Sequence, residues 1–367
     1  MEEILGRYFE GVDDPRSSRN QKHPLLMLMG TTLLAGLSGI DSFSGIADFV
    51  EAHLEALGEF FDFPKGPPSH DTYQRLWDAI NPEAFYGSFE LFTQSLSHIA
   101  PDVTPIDGKT IRNSGTGKAL HIVSAWCEAN QLVLAQEKVD SKSNELTAIP
   151  KLLSLLSLTG RVVTLDAMGA QRHICEQIIA QEGDYLIALK GNQGRLFEDI
   201  KRYLGDEDIQ KELSTATDHD KGHGRLETRT SYVSEDISWL QKHHQWPGLR
   251  TVAMVRSTVQ RGAKRTEETR FYITSLPADA RRINEVARMH WGIENKLHWR
   301  LDVTFNEDKA GIRNDNAAEN MDIVRKWALN VLSKSKKKPD QSIKGLMRKN
   351  AMSFPHLKRT VKEILHA

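Results

Sequence analysis

Residues 144–166 read NELTAIPKLLSLLSLTGRVVTLD, and this stretch decides the fold. Its first part is amphipathic, with Leu146, Ile149, Leu152, Leu153 and Leu156 at helical spacing behind Asn144. Its last part is a short apolar strand that ends in an acid, Asp166. A second helix-then-strand unit follows: QRHICEQIIAQ (171–181), then DYLIAL (184–189). Helices alternating with short, continuously apolar strands predict parallel strands joined by crossover helices. Upstream, VTPIDGKTI (103–111), HIVSAWCE (121–128) and QLVLAQEKV (131–139) are strand-like runs separated by turn residues.

The predicted order is strand, strand, strand, helix, strand, helix, strand. A three-stranded meander followed by two crossover units matches the ribonuclease-H-like order, so the expected class is α/β. Residues 1–98 read as a small helical domain. It contains the apolar run Leu25–Ile40, a segment from Ser42 to Phe61, a break at Pro64–Pro68, and further helices after Ser69 and Pro82. DNA contact by this domain is one reading and a purely structural role the other. Residues 99–191 form the first part of the core. Residues 192–277 are expected to be a β-rich insertion, carrying strands in 227–234, 249–259 and 268–276. Residues 278–333 return to the core with a helix, and 334–367 form a basic tail.

The chain has 367 residues, 48 Lys plus Arg and 49 Asp plus Glu. A net charge of −1 excludes a histone-like polycation. From Val331 onward, 10 basic residues face 2 acidic ones, so residues 1–330 carry −9. A basic end on an acidic body suggests a polyanion contact at the end and an affinity for cations in the body. The two cysteines, Cys127 and Cys175, form no CxxC pair and point to a reducing compartment. Leu25–Ile40 is too short and too rich in Gly, Thr and Ser to span a bilayer, so no membrane association and a cytoplasmic location are expected. Gly115-Thr-Gly-Lys118 lacks the first glycine and the Ser/Thr of a phosphate loop, and Gly169 has no GxGxxG partners; no nucleotide cofactor is expected.

Asp107 and Asp166 are the candidates for chemistry. Asp107, followed by Gly108, could instead be a turn acid bonded to its own backbone. However, Asp166 ends a parallel strand, where open α/β sheets place their sites. In the predicted order the first and fourth strands are neighbours, which sets the two aspartates side by side. Adjacent carboxylates repel one another unless a cation intervenes. Mg²⁺ or Mn²⁺, two ions to a site, would meet that need and clamp an in-line phosphoryl displacement. Glu294 is the candidate third ligand, on a helix where His290, Glu294 and His298 recur every four residues. The alternative is a surface helix with Glu294 in an ion pair. Lys109, Arg112, Lys190, Arg225 and Arg229 could neutralise phosphates or be solvated surface charge. Trp239 and Trp246 are candidates for stacking on an extruded base, against ordinary packing.

Seven blocks, IDGKTIRNSG, HIVSAW, SNELTAIPKLL, VVTLDAMGAQ, GDYLIALKGNQ, HGRLETR and HWGIENKLHWRLDVTFNED, occur in this order. Together with the N-terminal DPRSSRNQKHPL they resemble the H-repeat-associated insertion-sequence transposases found with Rhs elements, within the broader DDE transposases. The resemblance covers nearly the whole chain. It implies a ribonuclease-H-like catalytic domain with the metal-binding triad Asp107, Asp166 and Glu294. It also implies double-stranded DNA as substrate and a homodimer on DNA. The pattern Y-x2-R-x3-E-x6-K of the wider group is absent: Ala287, His290 and Leu301 stand at its Tyr, Arg and Lys positions. Arg288, His290, His298 and Arg300 are the replacements expected to meet phosphates, and hairpin formation is left without support. A plain nuclease or a silent DNA-binding relic of the same fold remain the other readings.

Overall fold

The computed structural model describes residues 2–365 except 18, 20, 97–101, 116, 141–143, 223 and 339. The chain opens with six helices, α1 (Glu2–Phe9), α2 (Leu25–Leu37), α3 (Phe43–Ala52), α4 (Leu54–Leu57), α5 (His70–Ala79) and α6 (Pro82–Ser95). The apolar run at Leu25 is a buried helix: from Met27 to Leu37 α2 exposes no face to water. Among the described residues no helix is long and apolar enough to cross a membrane. Ser42 caps α3 by accepting the Gly45 N–H, and Asn81 caps α6 ahead of Pro82.

A meander follows, β1 (Val103–Thr110), β2 (His121–Cys127) and β3 (Leu132–Lys138). Next come α7 (Glu145–Ser154), β4 (Val162–Leu165), α8 (Arg172–Ala180) and β5 (Asp184–Leu189). β1 pairs antiparallel with β2 and parallel with β4, and β4 pairs parallel with β5. The first and fourth strands are therefore neighbours. The protein is a mixed α/β structure built on one large mixed sheet.

The expected insertion does not stand apart from this sheet. After α9 (Gly194–Gly205) and α10 (Glu207–Glu212), the chain forms β6 (Ser214–Gly222) and β7 (Arg225–Ser234). α11 (Ser238–His244), β8 (Thr251–Arg261) and β9 (Lys264–Thr274) complete the segment. β9 pairs antiparallel with β5, and the sheet runs on to nine strands in the order β3-β2-β1-β4-β5-β9-β8-β7-β6. The physical reason is the open edge of β5. Its Tyr185, Leu186, Ile187 and Leu189 are buried, and a buried strand edge must be paired. Three of the four strands were readable; β6 (STATDHDKG) is polar and largely exposed, so it carries no hydrophobic pattern.

Alternate side chains point to opposite faces of this sheet. Val163, Tyr185 and Ile187 pack under α7 and α8. Val103, Val162 and Leu186 pack against α12 (Ala280–His290). Beyond α12 the helix widens into two π-helical stretches, Ile293–His298 and Arg300–Thr304, before α13 (Asp315–Lys334). The α-helix expected around Glu294 is thus a π-helix.

α13 also corrects the domain picture. It is buried along most of its length and joins residues 1–96 to the sheet in one core, with Trp126, Leu132 and Val133 of the meander inside it. Trp327 is its centre, stacked on Phe92 at 5.1 Å between ring centroids and edge-on to Phe9 at 5.4 Å. The basic tail is folded as well. α14 (Ile343–Met352) and α15 (Phe354–Leu365) bury Ile343, Leu346, Met347, Leu357 and Val361 in the same core, leaving lysines outside. Replacing Trp327 by Ala should cost roughly 3–5 kcal/mol. Urea unfolding followed by circular dichroism would show it as a lowered midpoint shared by helical and strand signals.

Candidate active site

β1 and β4 run side by side with Pro105 opposite Thr164. Asp107 and Asp166 each lie two residues beyond that pair, so they share one level and one face of the sheet. Asp166 closes β4 and caps the turn Ala167–Gly169, its Oδ1 accepting the N–H groups of Met168 at 2.9 Å and Gly169 at 3.3 Å. The loop after β5 braces this turn: Asn192 Nδ2 donates to the Ala167 carbonyl and Gln193 Nε2 to that of Ala170.

Asp107 sits in a mostly buried position. Desolvation pushes its carboxyl from an ordinary 3.8 up to about 7, aided by the negative charges of Glu145, Glu294 and Asp166. Glu294 and Asp166 are therefore both within electrostatic reach of Asp107. Among the described residues no three or more His, Cys, Asp or Glu side chains are gathered closely enough to hold a metal ion by themselves. A divalent ion needs less than that, one or two carboxylates with phosphate and water completing its shell. A buried carboxylate crowded by three acids fits such an ion.

Glu145, absent from the expected set, is the strongest charged neighbour of Asp107. It opens α7 behind the Asn144 cap, and its Oε1 is 2.7 Å from His121 Nε2. His121 Nδ1 in turn shares a 2.7 Å hydrogen bond with Thr110 Oγ1. Glycine at position 108 leaves room for this pair: a Cβ there would collide with Glu145 Oε1 and lie 2.6 Å from His121 Nε2, so a larger residue would push those side-chain ends aside. The available signal was topological, since β3 runs the same way as β1 and so releases the chain at the edge that holds Asp107.

The nine residues expected to meet phosphate divide. Lys109 is a correction: its side chain is 11% exposed and locked to Asp302 at 2.8 Å, Glu307 at 2.7 Å and Asp308 at 3.5 Å. His290 and His298 are corrections too. His290 bonds Thr164 at 2.9 Å, and burial with Arg270 nearby lowers it to about 4. His298 Nδ1 lies 3.6 Å from Asp107, but burial and the charges of Lys326, Lys109 and His121 lower it to about 3. Both rings are neutral packing groups rather than cations. Arg112 and Lys190 are exposed near the two strand ends. Arg225, Arg229 and Arg288 line one groove of about 420 Å³ with Arg270, Trp291 and Asn295. There Arg225 and Arg229 pair with Glu227, and Arg288 with Asp220. Arg300 is half-buried and donates to Gln131 Oε1 at 2.8 Å. Trp246 is buried and donates to Cys175 Sγ, while Trp239 packs on Tyr203, so neither is placed to stack on a base.

The family model described as "Transposase DDE domain" matches residues 98–331, and the one described as "DDE_Tnp_1-associated" matches residues 7–93. The chain belongs to the DDE transposase family. Its relatives include the H repeat-associated putative transposase YhhI of Escherichia coli K12, 37% identical with 94% of each chain covered. The putative protein YbfL of the same strain is 38% identical over the same shares. The H repeat-associated putative transposase YbfD is 40% identical over 61% of this chain and 91% of its own. The expected kinship with H-repeat-associated transposases thus stands. Among solved structures, a piggyBac transposase synaptic complex with hairpin DNA covers 99% of this chain and 78% of its own at 10% identity; its TM-score of 0.41 adds nothing to the argument.

Folding raises the Asp107 carboxyl from 3.8 to about 7, so between those values the folded chain holds a proton that the unfolded chain has released. Stability contributed by this group is present at the acid end of that window and is lost as the pH rises through 7. In chelator, the thermal midpoint of the wild type should fall from pH 5 to pH 8 more than that of Asp107→Asn. Parallel curves for the two proteins would show that Asp107 carries no such burden.

Proposed function

We propose that this DDE-family chain is a metal-dependent DNA transposase with a ribonuclease-H-like catalytic core, cutting insertion-sequence ends and joining them to target DNA. The observation that carries the reading is Asp107, mostly buried within β1 and held up to about 7 by desolvation and by the three carboxylates Glu145, Glu294 and Asp166. Such a site is costly as it stands and becomes favourable once positive charge enters. Asp107, Asp166 and Glu294 are the residues that would hold Mg²⁺ or Mn²⁺, two ions to a site, which when bound supply an acidified water and neutralise charge on the phosphate.

The chain's own part is positioning. β1 and β4 fix two carboxylates on a rigid sheet, and the π-helical turn brings Glu294 to them from the opposite layer. Water attacks the phosphorus at the element end, the bond to the 3′ oxygen breaks, and a 3′-hydroxyl is released. That hydroxyl then forms a bond to a target phosphorus as the target's own 3′ oxygen leaves, so one phosphodiester replaces another. Arg112 and Lys190, exposed beside the two strand ends, meet the backbone phosphates. The N-terminal helices hold the element end, and two ends require two copies of the chain, a homodimer on double-stranded DNA. A cytoplasmic location follows from that substrate.

The test is joining of labelled element-end DNA into plasmid with Mg²⁺ or Mn²⁺, for wild type and Asp166→Ala. Metal-dependent joining, lowered at least a thousandfold in the variant while its circular dichroism and end binding persist, is the expected result. Cutting without joining would make the chain a nuclease. Binding by folded wild type with neither reaction would make it a relic and the acids structural.

A further inference from the structure

The strands of the insertion overshoot the rest of the sheet. Leu165 pairs with Ile187, so Asp166 stands level with Ala188 and, across β5, with Tyr272 of β9. From that level β9 extends eight residues to Lys264, in the direction in which β1, β4 and β5 run. β8 and β7 keep pace, paired in register out to Arg261 and Arg225, and β6 follows to Gly222. At a rise of about 3.3 Å per residue, both hairpin ends stand roughly 25 Å past the aspartates.

This projection is ordered but bare. Pairing persists up to the two-residue turn Gly262-Ala263, where Gly262 takes the φ of +58° that a tight hairpin requires. Lys264–Thr269 are nevertheless all exposed, and β6 is exposed or half-buried throughout. At the ends stand Lys221, Arg225, Arg261, Lys264 and Arg265, every one exposed. Arg225 and Arg265 reach carboxylates only at 3.5 and 3.9 Å, and among the described residues no ion pair involves Lys221, Arg261 or Lys264. Between the two ends lies a hollow of about 700 Å³, with the exposed Leu226 in its lining. Arg229 and Arg225 share the sheet face of Asp166, because Tyr272, Ala253 and Val233 stand in line with it and alternate residues share a face. They mark a basic path from the acids to the tips.

Clustered cations of this kind suit a polyanion, and Lys and Arg side chains directed at phosphates hold a duplex without reading its sequence. The N-terminal helices border the opposite edge of the sheet, where Tyr86 of α6 accepts the Gln136 N–H of β3. Asp107 and Asp166 lie between these two edges. Strand transfer brings two duplexes to one site, an element end that must be recognised and a target that need not be.

We propose that the paired hairpin ends of β6–β7 and β8–β9 grip the backbone of the target duplex, while the element end lies on the β3 side. The proposal rests on the transposase reading and deepens it by giving the second DNA a surface of its own. At 3.4 Å per base pair, the tips meet the target about seven base pairs from the joined phosphate.

The experiment compares full-length wild type, the double variant Arg261→Glu with Lys264→Glu, and Lys264→Arg. Labelled element-end DNA reports cleavage, and joining is followed against plasmid concentration. The double variant should cleave as wild type does but join roughly tenfold less at limiting plasmid, recovering as plasmid is raised. Its log–log salt dependence of joining should flatten by about two, and Lys264→Arg should join normally. Thermal midpoints should not change, because these side chains lie at the surface. A photoreactive benzoylphenylalanine introduced at Ala263 should crosslink to plasmid near the joined position. Unchanged joining by the double variant would overturn the inference and leave the transposase reading intact. So would end cleavage that falls together with joining, which would put the element end at the tips. Crosslinking to a second copy of the chain in place of plasmid would likewise overturn it, making the tips a protein interface. Wild type that neither cleaves nor joins would overturn the transposase reading and this inference together.

Discussion

The Lys109 ammonium is the tie on which the geometry depends. It projects from β1 two residues past Asp107 and meets Glu307 at 2.7 Å and Asp302 at 2.8 Å. Glu307 is fully buried, and Arg325 of α13 approaches it at 3.8 Å while bonding Asp41 at 2.8 Å. The next residue, Lys326, holds Asp322 at 3.0 Å and donates to Ser124 of β2. Buried charges of this kind add little net stability compared with apolar residues of the same size, but losing one partner leaves another stranded at a cost of roughly 3–5 kcal/mol. Their value here is geometric. The network welds the strand that carries Asp107 to the exit of the π-helical segment that carries Glu294, and both to α13. Two acids that repel one another are kept close by cations that never face the solvent.

That tie explains why the molecule does not divide at the boundaries its composition suggests. A helical layer that shared only a linker with the sheet could shift against it, and Glu294 would shift too. Instead α13 threads its aromatic core through both, with Trp327 on the helical side and Asn330 accepting the Val133 N–H on the sheet side. The extension of the sheet through β9 works in the same direction. It continues the floor of β5 beneath α12, so the helix leading to Glu294 rests on strands of the core and on strands of the insertion.

Legibility followed the physics of each signal. Strand ends were readable because burial on both faces leaves continuous apolar runs, and an acid terminating such a run is conspicuous; Asp166 was picked out this way, and Asp107 as a carboxylate inside a strand with apolar neighbours. Glu294 was found as a residue, but its π-helical register was not, because the wider turn leaves no mark in the spacing of apolar positions. Glu145 stood in the quoted helix all along, yet its role depends on where β3 ends in space and on the missing side chain at Gly108. The C-terminal lysines misled through composition: charge was counted, whereas the burial of Ile343, Leu346 and Met347 on the other side of α14 decides that the segment folds. Lys109 misled for a related reason, since a lysine two residues from a candidate site aspartate suits phosphate and buried carboxylate equally well.

The distribution of charge then reconciles a chain of net −1 with a polyanionic partner. Carboxylates concentrate at the centre, where desolvation strengthens their repulsion and creates demand for small cations. Lysine and arginine gather in two different settings. Inside, Lys109, Arg325 and Lys326 neutralise structural acids and are spent on holding the fold. Outside, Lys190 is exposed at the end of β5, and Arg112 is exposed just past β1 with Asp308 beside it at 3.6 Å. A uniformly basic surface would bind DNA anywhere along its length. Confining exposed cations to the rim of an acidic centre instead favours a polyanion at that rim over one elsewhere on the surface.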